Sequence, residues 1–131
     1  MKVVADTNIL VRAVVRDDLE QAAIADALLR QAQTIAVTLP CLCEFVWVLR
    51  KVYGFPRSDI SAAIRALHAA ANVEMNRPAV ELGLSMLDAG GDFADGAIAF
   101  EGEWLGGEVF VSFDQKAVAL LQANGRAAQR V

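Results

Sequence analysis

The stretch Lys2–Val15, KVVADTNILVRAVV, holds the reading on which the fold class turns. Lys2–Ala5 is apolar and short, as a buried strand is, and it stops at Asp6. Asn8–Val15 then carries its apolar residues at helical spacing. The same alternation continues outward. Leu19–Gln31 reads as a helix with Asp17 or Asp18 as its N-cap, and Thr34–Thr38 reads as a β-branched strand. Pro40 opens a helix through Tyr53, whose Leu42, Phe45, Val46, Leu49 and Val52 follow a 3.6-residue period before Gly54 ends it. A helix from Pro56 to about Ala71, a strand at Asn72–Asn76 and a helix from Pro78 to the Gly90–Gly91 turn follow. Asp92 caps a helix to Leu105. Val109–Phe113 reads as a strand, Gln115–Ala123 as a helix ended by Asn124-Gly125, and Ala127–Val131 as a final short strand. Strands that alternate with helices predict a parallel sheet covered on both faces, a three-layer α/β/α sandwich.

The 131 residues allow one hydrophobic core, and no repeat, linker or low-complexity tract interrupts them, so a single domain over 1–131 is expected. The most apolar window, Ile35–Leu49, contains Thr38, Pro40 and Glu44 and falls short of the ~20 residues a membrane span needs. Asp6 breaks the apolar run of the first 15 residues too early for a secretory leader. A cytoplasmic protein with no membrane partner is therefore expected. Cys41 and Cys43 form a lone C-x-C pair, too few ligands for zinc and too close for a disulfide framework, and read as small, mostly buried thiols. The single histidine, His68, falls on a polar stretch of a surface helix and reads as a bystander. That argues against a paired-histidine ribonuclease or a Ser-His-Asp hydrolase. A net charge of −4 is not the basic footprint of a nucleic-acid binder, although carboxylates gathered round divalent cations are neutralised by them.

In open parallel sheets ligands bind outside the carboxyl ends of the strands. Asp6 and Asp114 each directly follow a predicted strand. Glu44 lies one turn into the helix after the second strand, and Asp95 lies in the first turn of the helix after Gly90–Gly91. Acids at helix starts are ordinarily structural, because they cap and complement the dipole, and Asp92-Phe-Ala-Asp95 has the spacing of a capping arrangement. Asp6, ending a buried strand, has no obvious capping need. Four carboxylates drawn to one crevice would repel by about 4 kcal/mol per close pair at an effective dielectric near 20. A hard divalent cation, Mg²⁺ or Mn²⁺, would remove that cost and activate water beside a phosphate. Spacing alone leaves both readings open, capping acids and a metal site.

Four motifs, VVADTNIL at the start, LCEFVWVL around Glu44, DFADGAIA around Asp95 and VSFD at Asp114, resemble in their order those of the PIN-domain family, above all its VapC-type toxins. The resemblance covers nearly the whole chain. It implies that Asp6, Glu44, Asp95 and Asp114 are the catalytic, metal-binding quartet. Thr7 and Asn8 would orient Asp6 by hydrogen bonds, with Ser112 and Asp92 as further supporting residues. It also implies a Mg²⁺- or Mn²⁺-dependent endoribonuclease acting on tRNA or rRNA, held inactive by a cognate antitoxin and usually dimeric. Gly96 departs from the pattern, which more often has Ala after this acid. The runner-up is a catalytically inactive PIN scaffold that binds a basic peptide through its acids. A haloacid-dehalogenase-like phosphatase would want Asp where Asn8 stands, and a receiver domain would want a phosphoacceptor Asp at the end of a central strand. Arg12, Arg16, Arg50, Lys51 and Lys116, near the acidic segments, are candidates to hold an RNA backbone.

Overall fold

A computed structural model describes residues 1–131. The chain is helix-rich α/β, its strands are all paired in parallel, and it divides into two compact units, Met1–Met75 and Asn76–Val131.

The first unit runs β1 (Lys2–Val4), α1 (Thr7–Val14), α2 (Leu19–Gln31), β2 (Thr34–Ala36), α3 (Leu39–Lys51), α4 (Arg57–Ala69), β3 (Val73–Glu74). Its sheet has the order β1-β2-β3, with Val3 opposite Ile35 and Ile35 opposite Val73. Each pair of neighbouring strands is joined through two helices, as parallel pairing requires of a crossover. Ile35, Leu10, Leu42, Phe45, Leu49, Ile60 and Ile64 are fully buried and build the core. Val52, expected to continue the buried stripe of α3, is exposed instead, because the helix ends at Lys51 and the chain turns at Gly54 with φ of +69°. Of the two candidate caps for α2, Asp18 serves, accepting the Gln21 N–H at 3.0 Å. Asp17 is drawn away by Arg12, whose guanidinium donates to it at 2.8 Å, to Gln21 at 2.9 Å and to Tyr53 at 3.4 Å.

The second unit runs α5 (Arg77–Asp88), α6 (Phe93–Trp104), β4 (Phe110–Ser112), α7 (Gln115–Ala123), β5 (Ala128–Arg130). β4 and β5 pair in parallel with Val111 opposite Gln129. Its core gathers Leu82, Met86, Ala99 and Leu121, with Phe100, Phe110 and Leu120 packed against them. α5 and α6 meet at backbone level. A Cβ on Gly96 would lie 2.7 Å from Gly83 Cα, and one on Gly83 would lie 2.6 Å from the Phe93 ring. Gly96, the main local departure from the family pattern, is thus the residue that lets two helices touch without side chains between them.

Every predicted helix and strand is present, with strand ends trimmed by one to three residues. Asn72–Asn76 shrinks most, to Val73–Glu74, since only β2 pairs with it. No helix is long and apolar enough to cross a membrane.

Candidate active site

Each unit carries its own group of acids. In the first, the chain leaves β1 at Asp6 and turns directly into α1. Asp6 occupies the N-cap position with extended backbone, φ −80° and ψ 158°, yet its side chain makes no capping bond. Its carboxylate is exposed and uncommitted to the helix. Glu44 projects from α3 one turn after Cys41, a spacing that puts both on one helix face. Asp6 and Glu44 line one open cleft of about 350 Å³, together with Val4, Ala5, Thr7, Thr38, Pro40 and Cys41. Burial pushes the Cys41 thiol up, a hydrogen bond from Thr7 offsets part of this, and the charges of Asp6 and Glu44 add to it. That thiol therefore senses both carboxylates.

Thr7 is buried, and its hydroxyl donates to Cys41 Sγ at 3.7 Å rather than to Asp6. Asn8 is exposed and lines a separate groove between α1 and α2 with Ile9, Arg12, Gln21, Ile24 and Ala25. Cys41 is a buried free thiol, as expected, and it also lines this cleft, a place that the C-x-C spacing does not indicate. Its place three residues before Glu44 on a helix was the available signal. Cys43 is half-buried, and His68, half-buried in the last turn of α4, takes no part in the cleft.

In the second unit Asp92 caps α6 by accepting the Ala94 N–H at 3.1 Å, as its spacing predicts. Asp114 caps α7 by accepting the Ala117 N–H at 3.1 Å. One oxygen of each carboxylate is committed there, which leaves the other to a ligand. Ser112 Oγ accepts the Asp114 N–H at 3.0 Å and fixes the turn that carries the acid. Asp95 lies in the first turn of α6, half-buried, and its pKa is raised to about 6 by burial first and then by Asp92 and Asp114. Asp92 and Asp114 thus both act on Asp95, adding to the effect of its burial.

None of Asp6, Glu44, Asp92, Asp95 and Asp114 takes part in an ion pair. Arg12 and Arg16 bind Asp17 at 2.8 Å and Asp26 at 2.9 Å instead, so two of the five cations considered for an RNA backbone are already occupied. The acids are hard oxygen donors without positive partners, right in kind for Mg²⁺ or Mn²⁺. No three His, Cys, Asp or Glu side chains converge to hold an ion by themselves. Mg²⁺ suits such a donor set, because it keeps several waters and binds through one or two carboxylates and the phosphates of a substrate.

The sequence profile described as PIN domain matches residues 3–120. No curated protein matches the chain significantly.

Proposed function

Because the chain belongs to the PIN domain family, whose members are generally nucleases, we propose that it is a Mg²⁺- or Mn²⁺-dependent endoribonuclease. Asp6, Glu44, Asp95 and Asp114 are its catalytic carboxylates in this reading. The observation that carries it is the group Asp92, Asp95 and Asp114, three interacting acids without a cation, one of them raised to about 6. A carboxyl whose ionised form is penalised by burial first and by two like charges second, and which has no cation beside it, is a functional arrangement more than a stabilising one. Supporting it, Asp6 stands at a helix start without using its side chain there. The profile match runs across both units, which supports their acting as one domain over 1–131 on one reaction.

Bound at these acids, the ion would supply Lewis acidity toward the scissile phosphate and a water of lowered pKa. The side chains do the rest. Asp114, anchored by its cap and by Ser112, presents its remaining lone pairs in a fixed direction. Asp95, half-buried in the first turn of α6, holds negative charge where little water screens it, so it favours a dication strongly once deprotonated. Asp6 and Glu44 present carboxylates across an open cleft that a polymer chain can enter. In the same reading the protein is a VapC-type toxin of a type II toxin–antitoxin pair. It acts in the cytoplasm as a homodimer on tRNA or rRNA and is silenced by an antitoxin.

The test is the chemistry of the cut ends. Attack by activated water leaves a 5′-phosphate and a 3′-hydroxyl, the reaction stops with EDTA, and Mg²⁺ or Mn²⁺ restores it. Asp6→Asn, Asp95→Asn and Asp114→Asn each abolish it. Fragments ending in 2′,3′-cyclic phosphate, or cleavage that survives EDTA, would falsify this mechanism. Metal binding without any cleavage would leave the inactive, peptide-binding scaffold.

A further inference from the structure

Two residues that line the cleft of the first unit are bonded to each other, beside both of its acids. Thr7 and Cys41 are 7% and 8% exposed, and the Thr7 hydroxyl donates to Cys41 Sγ at 3.7 Å across 34 residues of chain. A buried hydroxyl takes a partner wherever one is in reach. The Asp6 carboxylate, next to it in sequence, is the stronger acceptor, yet the bond goes to sulfur. Asp6, which also makes no capping bond, thereby keeps its lone pairs for a ligand.

The bond closes a frame around Asp6. The chain enters Asp6 from Ala5, whose N–H donates to the Ala36 carbonyl at 3.0 Å, and leaves it through Thr7. Asp6 is thus held from both sides by the segment that runs from β2 into α3, once through backbone and once through Cys41. Cys41 is itself fixed in the first turn of α3, because Thr38 Oγ1 accepts its N–H at 3.3 Å. Glu44 stands three residues further along the same helix face. The Thr7–Cys41 bond therefore joins the helix start that carries Asp6 to the helix turn that carries Glu44.

We propose that Cys41 is a positioning residue: by accepting the Thr7 hydroxyl it sets the spacing at which Asp6 and Glu44 meet a divalent cation. This rests on the metal-dependent reading above and adds to it a residue that acts through the two acids. Groups that hold metal ligands in place from behind govern affinity nearly as the ligands do. Both partners of this bond are buried, so neither can swing away to water, and losing one frees the two helix starts to shift against each other.

The test measures Mn²⁺ binding to the full chain by calorimetry, with urea midpoints taken in the absence of metal. Thr7→Val keeps the shape of the side chain and removes the donor, and Cys41→Ala removes the acceptor. Each is expected to weaken Mn²⁺ binding about tenfold. The double substitution is expected to be no worse than either single one, because the two changes delete one bond. Thr7→Ser, which keeps the hydroxyl, is expected to bind as the parent does. Ile64→Val, a cut in the fully buried core on α4, is expected to lower the urea midpoint and leave Mn²⁺ affinity unchanged. Parent-like Mn²⁺ affinity in Thr7→Val and Cys41→Ala overturns the role of Cys41 while the metal reading stands. So do additive losses, or a loss in Thr7→Ser as large as in Thr7→Val, since either assigns the effect to packing. If the parent binds no Mn²⁺, the metal reading falls, and the positioning role with it.

Discussion

The pKa of Asp95 is raised from the ordinary 3.8 to about 6, because burial and then the charges of Asp92 and Asp114 penalise its ionised form. The consequence for stability has a definite sign. Between about pH 4 and 6 the folded chain keeps a proton that the unfolded chain has released, so raising pH through that window removes stability from the metal-free protein. Above pH 6 the loss is complete. The urea midpoint of the metal-free protein, measured against Asp95→Asn, should therefore fall over this window and level off above it. A difference that stays flat from pH 4 to 7 would mean that Asp95 titrates as an ordinary carboxylate. Protons and metal compete for the same oxygens, so Mn²⁺ affinity by calorimetry should weaken as pH drops below 6.

At the scale of elements, α5 and α6 depend on two glycines facing each other. Alanine is the better helix former by about 1 kcal/mol, and helix propensity alone would favour it at position 96. The structure reverses the sign. The new Cβ would sit 2.7 Å from the backbone of Gly83, which cannot swing aside as a side chain can. Overpacking of this kind costs about 1–3 kcal/mol. Gly96→Ala should thus lower the urea midpoint, and because Gly96 adjoins Asp95 it should also weaken Mn²⁺ binding. Gly102 lies on the same helix with open space around its missing Cβ, so Gly102→Ala should stabilise by about 0.5–1 kcal/mol. Stabilisation by both substitutions would show that α5 and α6 can separate freely at Gly83.

Over the whole molecule the net charge of −4 is unevenly placed. Residues 1–75 hold eight acids and eight bases, whereas residues 76–131 hold eight acids and four bases. The acidity that argues against a nucleic-acid partner is thus concentrated in the unit that carries Asp92, Asp95 and Asp114, where a dication would neutralise part of it. A ligand that binds only the folded state stabilises it by RT ln(1 + [L]/Kd), about 1.4 kcal/mol per tenfold excess. Mn²⁺ should accordingly raise the melting temperature progressively. If Asp6 and Asp114 serve one reaction centre, either asparagine substitution should shrink that rise and the double substitution should add little more. Additive losses would assign the ions to separate sites.

The order of elements was legible because periodicity and punctuation are local. Pro40, Gly54, Pro78 and Asp92 act on the turns in which they stand, and the alternation of short strands with helices dictates parallel pairing whatever the packing. The acids were legible as positions, since the end of a strand and the first turn of a helix are also local properties. Their states were not. Asp6 and Asp114 look alike in sequence, each ending a strand and starting a helix, yet one leaves its carboxylate free and the other uses it as a cap. Asp92 stays exposed and caps α6, whereas Asp95, three residues on, is half-buried and feels the charges of Asp92 and Asp114. Thr7 turned to Cys41, Gly96 proved to be a contact between helices, and Phe113 stayed in solvent, because each outcome depends on atoms distant along the chain. Sequence by itself determined the fold class and which residues stand at the strand ends. Only the tertiary structure decided which of them are buried, bonded or exposed, since burial and electrostatic coupling are properties of space and not of the chain.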